Sequence, residues 1–544
     1  MRLKFLAALA ALSANASAAT PPLPVPPTPP RLLVVISIDQ FSADLWDEYR
    51  PQFTRGLARL GMGTVFRNGY QSHAATETCP GHSTLLTGDR PSTTGIISNM
   101  WLDQSLSRSD KFVYCAEDPL APGTSSTSYK VSDKHLRVPT LGDRMKAAWP
   151  GSRNVAISGK DRAAVMMSGH RADQRWYWNG NQFVTDLSGH TTPQVVARAN
   201  AAVAAMLAAP GEGLQPPPFC SQKAQPVTLE GSGKVVGAGT LARAAGDATG
   251  FRASPQFDAS TLALAAGMVQ EMNLGRGSSP DLLAVSLSAT DYVGHTYGPG
   301  GQEMCLQLLE LDREIGDFLS FLDRSGVDYA VALSADHGGL DLPERLRARG
   351  VTDAARVDPA LSATAMGKRV GQKLSLAGPV LIGDFSGDVY IDQSVRGADR
   401  TRVLTTALAD YRAHTQVAAA YSREQIAKIA PPSGGPTGWT LLQKARASFD
   451  PERSGDIVVM LKPHIMPIVE TSRYAATHGS PWDYDRRVPI AFWRKGLSPS
   501  AREDAVETAD IMPTLAAMLG LPLGAPAIDG RCLDNVLGNV CPAR

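Results

Sequence analysis

The sequence predicts an α/β fold in which a central, mostly parallel sheet is flanked by helices and carries insertions. Residues 31–39 form a continuous apolar run rich in β-branched side chains, a pattern typical of strands buried on both faces of a parallel sheet. Helical segments alternate with runs of this kind. One of them, 302–322, places its apolar residues on roughly one helical face, as a helix packed on a sheet requires.

Four later runs resemble the first and are predicted to be strands: 153–158, 281–287, 329–334 and 456–461. Ligands of open α/β sheets bind at the carboxyl ends of the strands. Asp39, residues 158–162, Asp291 and Asp336 are therefore expected to converge on one rim of the sheet. A closing helix is predicted over 510–520 from its acidic start and terminal glycine.

The chain start predicts export. Residues 1–4 are basic, 5–12 are apolar but too few to span a bilayer, and 15–19 supply the small residues of a cleavage site. We expect a signal peptide over 1–19, the alternative being an Ala-rich helix, and thus a periplasmic or secreted protein without a stable membrane anchor. Residues 20–30 form a Pro-rich lead-in, and 31–544 form the main domain.

The composition indicates a globular protein and argues against nucleic acid as a specific partner. With 544 residues, 43% hydrophobic and 19% charged, the chain is typical of a globular protein of one large domain or two to three smaller ones. The formal net charge of +1 gives no general field for polyanions, so nucleic acid is not expected as a specific partner. Segments near 180–253 and 343–438 fit the strand–helix alternation poorly and are predicted to be insertions that cover the rim as a cap. Nothing in the sequence indicates the oligomeric state.

The six cysteines permit disulfides in an oxidising compartment. They are Cys79, Cys115, Cys220, Cys305, Cys532 and Cys541. Cys532 and Cys541 are close in sequence and form the pair we favour. For Cys79 a structural thiol, a disulfide and a chemical role remain open. Because no CxxC spacing occurs, a thiolate zinc site is not expected.

Thr78-Cys79-Pro80-Gly81-His82 is the most informative motif. Thr78 is predicted to cap a helix that Pro80 opens, which puts a hydroxyl where helix N–H groups favour an anion. Asn99 follows in a loop. Lys160 and Arg162, two residues apart, are able to meet one anion together, although a solvated pair is the alternative.

Carboxylates and imidazoles recur in an order that suits two adjacent divalent metals. The residues are Asp39, Asp291, His295, Asp336, His337 and His478. Each has an ordinary alternative, such as a turn-forming aspartate or an exposed loop histidine. Asp291 and His295 share a face if helical, whereas adjacent Asp336 and His337 are expected to diverge toward different partners. Together the six indicate a two-metal site that ionises a hydroxyl nucleophile.

These motifs resemble those of the alkaline phosphatase superfamily, specifically its threonine-nucleophile branch, which contains bacterial periplasmic alkaline phosphatases and the nucleotide pyrophosphatase/phosphodiesterases. The resemblance runs from about residue 32 to residue 519. It rests on Ser37-Ile38-Asp39-Gln40, Thr78-Cys79-Pro80-Gly81-His82, Asp291-Tyr292-Val293-Gly294-His295, Asp336-His337-Gly338 and Thr477-His478-Gly479. It implies an alkaline phosphatase-like domain over 31–544.

The resemblance implies roles for individual residues. One Zn²⁺ is held by Asp291, His295 and His478, and a second by Asp39, Asp336, His337 and the Thr78 oxygen, whereas His82 is structural. Asn99 is implied to donate to a phosphoryl oxygen. Lys160 and Arg162 stand where the resembling monoesterases carry a lysine and an arginine.

The expected function is that of a zinc-dependent alkaline phosphatase that hydrolyses small-molecule phosphate monoesters through a phosphothreonine intermediate. A phosphodiesterase or nucleotide pyrophosphatase with the same metals and nucleophile is the nearest alternative. A sulfatase is disfavoured because Pro80 directly follows Cys79. A non-catalytic exported protein that binds metal or phosphate is a further alternative, against which the intact Thr78 argues.

Overall fold

The computed structural model describes residues 28–189, 191–524, 527–539 and 541–542. The predicted signal peptide over 1–19 and most of the lead-in over 20–30 lie outside the described residues. None of the described helices is both long and apolar enough to cross a membrane.

The strands, in chain order, are β1 (Leu32–Ile38), β2 (Thr64–Tyr70), β3 (Met100–Leu102), β4 (Phe112–Tyr114), β5 (Asn154–Ser158), β6 (Gln174–Trp178), β7 (Phe183–Val184), β8 (Val227–Thr228), β9 (Val235–Val236), β10 (Asp281–Leu287), β11 (Tyr329–Ser334), β12 (Ala355–Arg356), β13 (Leu381–Gly383), β14 (Gly387–Ile391), β15 (Val417–Ser422), β16 (Ile457–Leu461), β17 (Ile465–Met466), β18 (Arg487–Arg494), β19 (Ser500–Arg502) and β20 (Val506–Glu507).

The α-helices are α1 (Ala43–Tyr49), α2 (Gly56–Leu60), α3 (Thr78–Thr87), α4 (Pro91–Thr94), α5 (Leu141–Ala148), α6 (Asp161–Ser168), α7 (Gln194–Ala208), α8 (Pro218–Ser221), α9 (Ala248–Arg252), α10 (Pro255–Glu271), α11 (Ala289–Tyr297), α12 (Gln302–Ser325), α13 (Pro343–Ala348), α14 (Ala363–Leu374), α15 (Gly397–Ala413), α16 (Arg423–Ala427), α17 (Leu441–Ser448), α18 (Asp483–Arg486) and α19 (Ile511–Leu519).

A large mixed sheet organises the protein, with the strand order β19-β2-β18-β11-β1-β10-β5-β6-β7 and β20 paired to β2. β1 lies at the centre and pairs in parallel with both β10 and β11. β5 and β6 extend the parallel part, whereas β18 and β7 add antiparallel pairs toward the two edges. The predicted central, mostly parallel sheet is confirmed.

Alternate residues of β1 serve two separate cores. Val34 and Ile36 face one layer, in which α10 and α12 contribute residues such as Phe257 and Leu311. Leu33 and Val35 face the opposite layer, which contains Leu85 of α3. Because successive side chains of a strand point to opposite faces, a run that is apolar throughout predicts burial on both sides. Every residue of β1 is buried.

The run 456–461 does form a strand, β16, but its prediction as part of the parallel sheet is wrong. β16 pairs antiparallel with β14 and β15 in a separate four-stranded sheet, β13-β14-β16-β15. Helices α14 and α15 cover this sheet and complete a core of its own. An apolar run predicts a buried strand, but it does not predict which sheet the strand belongs to.

The two segments predicted as insertions differ in where they pack. Residues 343–438 build most of the smaller sheet and touch the main domain through Gln104, whose side chain bonds the backbone of Ile391 and Gln393. In the segment 180–253, by contrast, Val196 and Val203 of α7 join the main core beside α10. This second segment is thus integrated into one face of the domain.

Disulfides join all six cysteines in three pairs: Cys79–Cys115, Cys220–Cys305 and Cys532–Cys541. The predicted Cys532–Cys541 pair is confirmed. For Cys79 the disulfide alternative is the correct one.

Asp312 of α12 fixes the start of α2. Its buried carboxylate accepts backbone N–H groups from Thr54, Arg55, Leu57 and Ala58 at 2.7–3.3 Å. Asp312→Ala removes this acceptor and leaves the donors unsatisfied, so we expect the free energy of unfolding to fall by about 3 kcal/mol. Thermal and denaturant unfolding measure the change. Asp317→Ala, which removes an exposed partner of Arg55, is the control and should change stability little; equal stability of the two variants would contradict the assignment.

Candidate active site

Side chains from four neighbouring strand ends meet at one rim of the large sheet, as the sequence predicted. Asp39 follows β1, Asp336 follows β11, Lys160 follows β5, and Asp291 lies in α11 beyond β10. All four are buried. The Lys160 ammonium lies 2.5 Å from Asp291 Oδ2 and 3.0 Å from Asp39 Oδ2. These contacts join segments that are far apart in sequence.

Asp291, His295 and His478 form one cluster whose possible ligand atoms all lie within 4.8 Å of one another. The Nε2 atoms of His295 and His478 lie 3.3 and 3.6 Å from Asp291 Oδ1. Their Nδ1–H groups donate to the Ala476 and Thr76 carbonyls, each at 2.8 Å. A histidine whose Nδ1 donates to a carbonyl presents Nε2 as the free ligand atom.

A second buried cluster contains Asp39, His82 and Asp336. The family resemblance implies a structural role for His82, and both its ring nitrogens face polar partners. Nδ1 donates to the Thr78 carbonyl at 2.9 Å, and Nε2 lies 3.3 Å from Asp39 Oδ1.

His337 is the other histidine beside this cluster. Its Nε2 atom lies 3.1 Å from Asp336 Oδ2, while Nδ1 donates to the Gly338 carbonyl at 2.8 Å. The expected divergence of Asp336 and His337 is therefore wrong, because the imidazole turns back toward the preceding carboxylate. Within the described residues, neither His337 Nε2 nor Asp336 Oδ2 has a hydrogen-bond partner. Buried polar atoms without partners fit a site built for a cation.

Gln40 links the two clusters and was not singled out from the sequence. Its side-chain Nε2 donates to Asp291 Oδ1 at 3.0 Å, and its backbone N–H donates to Asp336 Oδ1 at 3.1 Å. Gln40 adopts a left-handed φ of 61°, uncommon for a residue with a side chain. A Cβ at Gly294 or Gly339 would collide with the Gln40 side chain. Gly294 and Gly339 lie in or next to the histidine motifs, and their lack of a side chain is the feature of the sequence that indicates a close neighbour such as Gln40.

Thr78 is the first residue of α3, with Glu77 at the capping position, so the helix begins one residue earlier than an N-cap Thr78 would give. Its Oγ1 accepts a hydrogen bond from Arg162 Nη2 at 3.3 Å. The hydroxyl thus lies where the helix N-terminus and a guanidinium both favour negative charge. Thr78 also lies next to the second cluster through its carbonyl bond to His82.

Asn99 is held on three sides. Its Oδ1 accepts the Cys79 N–H at 2.8 Å, its carbonyl accepts the Cys115 N–H at 3.0 Å, and its own N–H donates to Glu77 Oε2 at 2.7 Å. Because Oδ1 accepts the Cys79 N–H, the side-chain Nδ2 of Asn99 remains available as a donor. Sequence reasoning found Asn99 but missed Glu77.

The charged groups of the rim shift one another's pKa values. Burial alone raises the pKa of Asp39 and Asp291, but neighbouring basic side chains outweigh it and hold both pKa values below the usual range: Lys160 acts on Asp39, and His295 and Lys160 act on Asp291. Burial lowers the pKa of Lys160, and these same carboxylates raise it above the usual range. The carboxylates are ionised and require cations beside them.

Comparisons with known proteins agree with this geometry. The sequence profile of the type I phosphodiesterase / nucleotide pyrophosphatase family matches residues 33–481. The chain belongs to this family. It is an enzyme of the alkaline phosphatase superfamily, as its motifs indicated.

Two relatives span nearly the whole chain. Alkaline phosphatase PhoK of Sphingomonas sp is 51% identical over 93% of this chain and 91% of its own length. Alkaline phosphatase PhoD of Zymomonas mobilis subsp. mobilis is 45% identical over 94% of this chain and 90% of its own. The crystal structure of alkaline phosphatase PafA shares the fold, with a TM-score of 0.79 at 24% identity over 91% of this chain and 96% of PafA.

Proposed function

We propose that this enzyme is an alkaline phosphatase that hydrolyses phosphate monoesters through a phosphothreonine intermediate on Thr78. The observation that carries the proposal is the position of Thr78 at the start of α3: its Oγ1 lies 3.3 Å from Arg162 Nη2, and its carbonyl binds His82 of the second cluster, whose side chains could hold a metal ion. The names of PhoK and PhoD, which match over nearly the whole chain, support the phosphatase activity.

Two Zn²⁺ ions are the proposed cofactors. Asp291, His295 and His478 would hold one ion; Asp39, Asp336, His337 and the Thr78 oxygen would hold the other. The mixture of carboxylates and imidazole Nε2 atoms suits zinc better than the all-oxygen sites of magnesium. When bound, the ions supply positive charge that stabilises the Thr78 alkoxide and the leaving oxygen and activates the hydrolytic water.

The reaction proposed for Thr78 is an in-line displacement. The Thr78 hydroxyl loses its proton, and its Oγ1 forms a bond to phosphorus while the bond from phosphorus to the leaving oxygen breaks; that oxygen takes up a proton and departs as the alcohol. Water then attacks the phosphothreonine, which releases phosphate and restores the hydroxyl. Phosphoryl transfer depends on positioning and charge stabilisation, which side chains around Thr78 would provide.

Asn99, Lys160 and Arg162 are the proposed phosphoryl-binding groups. Asn99 would donate from Nδ2, and Arg162 already reaches Thr78 Oγ1 with one nitrogen. The buried Nε of Arg162 has no hydrogen-bond partner in the described part of the chain and is a further donor. Metal binding would take up the negative charge of Asp39 and Asp291, leaving the buried Lys160 ammonium to be neutralised by phosphate.

The alternative is a phosphodiesterase or nucleotide pyrophosphatase, which the name of the matching family favours. A monoester dianion carries one more anionic oxygen than a diester, so two cations that meet the phosphoryl group favour monoesters. Lys160 and Arg162 therefore favour the phosphatase assignment.

A periplasmic or secreted location is proposed from the predicted signal peptide over residues 1–19. The three disulfides support it, because disulfides persist in oxidising compartments. Residues 31–544 are proposed to form the catalytic domain, with the smaller sheet as an insertion.

Thr78→Ala tests the nucleophile. The proposed ligands other than the Thr78 oxygen remain, so metal content should be retained while kcat falls by several orders of magnitude, as is usual when a nucleophile is removed. Elemental analysis and steady-state kinetics measure the two quantities. Wild-type turnover by the metal-loaded variant would show that Thr78 forms no required covalent intermediate.

Chelation tests the cofactor. Removal of metal should abolish activity, and Zn²⁺ should restore it more fully than Mg²⁺, because three imidazoles suit zinc better than a cation that prefers oxygen ligands. Elemental analysis of the active protein should find transition metal. Full activity in a protein without transition metal contradicts the zinc assignment.

Lys160→Ala with Arg162→Ala tests selectivity. Each charge-assisted contact is worth roughly 1.5–3 kcal/mol, so monoester kcat/KM should fall on the order of 10²-fold or more, and the diester rate much less. p-Nitrophenyl phosphate and its bis ester are the substrates. Arg171→Ala, at an exposed arginine beyond α6, is the control. A parallel fall for both substrates would favour the diesterase alternative.

A further inference from the structure

The Cys79–Cys115 disulfide closes a ring around Asn99. The N–H of each cysteine binds this residue, Cys79 at its side-chain oxygen and Cys115 at its carbonyl oxygen, at 2.8 and 3.0 Å. Both cysteines are fully buried, and Cys79 directly follows Thr78. The disulfide therefore ties the segment that carries Asn99 to the helix that begins at Thr78.

The same disulfide anchors Tyr114, which directly precedes Cys115 and ends β4. The Tyr114 hydroxyl donates to Asp161 Oδ1 at 2.7 Å and accepts from Arg162 Nη1 at 3.4 Å. Through its other terminal nitrogen, the Arg162 guanidinium reaches Thr78 Oγ1 at 3.3 Å. Tyr114 thus holds one end of a guanidinium whose other end meets the proposed nucleophile.

Asp161 fixes the orientation of the Tyr114 hydroxyl. Its Oδ2 accepts a second phenol, that of Tyr129, at 2.8 Å, and the rings of Tyr114 and Tyr129 lie 4.5 Å apart. Because both phenols donate to this carboxylate, the Tyr114 oxygen keeps its lone pairs for Arg162. Simple packing of two aromatic rings would not require the hydroxyls.

We propose that Tyr114 and the Cys79–Cys115 disulfide are positioning elements of the phosphoryl-binding site. The disulfide fixes Asn99 and Tyr114 relative to Thr78, and Tyr114 fixes Arg162. Selectivity for monoesters then depends on groups that touch no substrate atom. This inference rests on the proposed function, since it requires Arg162 and Asn99 to bind the phosphoryl group.

Tyr114→Phe is the first test, because it removes one oxygen and keeps the ring. We expect monoester kcat/KM to fall about 10-fold to 100-fold, the usual cost of losing a hydrogen bond to a charged group, and diester kcat/KM to fall less. Inhibition by inorganic phosphate should weaken in parallel. Tyr411→Phe, at a tyrosine buried in the core of the smaller sheet, is the matched control and should leave the monoester-to-diester ratio unchanged.

Removal of the disulfide is the second test. Cys79→Ala with Cys115→Ala should lower the monoester-to-diester ratio in the same direction as Tyr114→Phe. Cys532→Ala with Cys541→Ala removes another disulfide and is the matched control. A loss of thermal stability in this variant is compatible with the inference, but its monoester-to-diester ratio should be unchanged. An equal change of the ratio in both double variants would mean that the effect is one of general stability, which overturns the inference.

Arg162→Ala separates this inference from the proposed function. If Tyr114 acts through Arg162, adding Tyr114→Phe to Arg162→Ala should cause no further loss of monoester kcat/KM. If Arg162→Ala lowers the ratio and Tyr114→Phe does not, the positioning inference alone fails. If Arg162→Ala leaves the ratio unchanged, the proposed phosphoryl-binding role of Arg162 fails, and the inference fails with it.

Discussion

The concentration of negative charge at the rim is the constraint on which the site depends. Asp39, Asp291 and Asp336 are buried carboxylates that parallel strands bring together. Buried charges that are left unpaired cost several kcal/mol each, so the surrounding groups must compensate. Lys160 supplies a positive charge between two of them, and Gln40 donates to Asp291 and Asp336. A site with this excess of carboxylate is suited to divalent cations.

Much of this site could be predicted because the sequence pattern indicates the buried strands and the residues at which they end. The apolar run that becomes β1 predicts a buried parallel strand, and the polar residue that ends it, Asp39, must lie at the rim. Asp291 and His295 follow from helical spacing. His478 is different: on its own it has the pattern of an exposed loop histidine, and it becomes a candidate ligand only in combination with the other five residues and the family resemblance.

What the sequence did not predict depends on contacts between distant segments. Gln40, Glu77 and Tyr114 form hydrogen bonds to residues that are 22 to 296 positions away in the sequence. β6 is buried but rich in aromatic and polar residues, so its pattern does not stand out as a continuous aliphatic run. The assignment of 456–461 to the wrong sheet has the same origin, because a run of side chains does not identify its partner strand.

The central position of β1 has a consequence for the order of assembly. Its partners, β10 and β11, lie about 250 and 300 residues further along the chain. During synthesis from the amino end, β1 has no native neighbour until more than half of the polypeptide has emerged, and such non-local pairing is slow. The side-chain cluster of Asp291, His295 and His478 is completed later still, when His478 has been synthesised. This topology therefore favours a chain that stays unfolded until it is nearly complete, and it leaves an apolar strand exposed to aggregation in the interval.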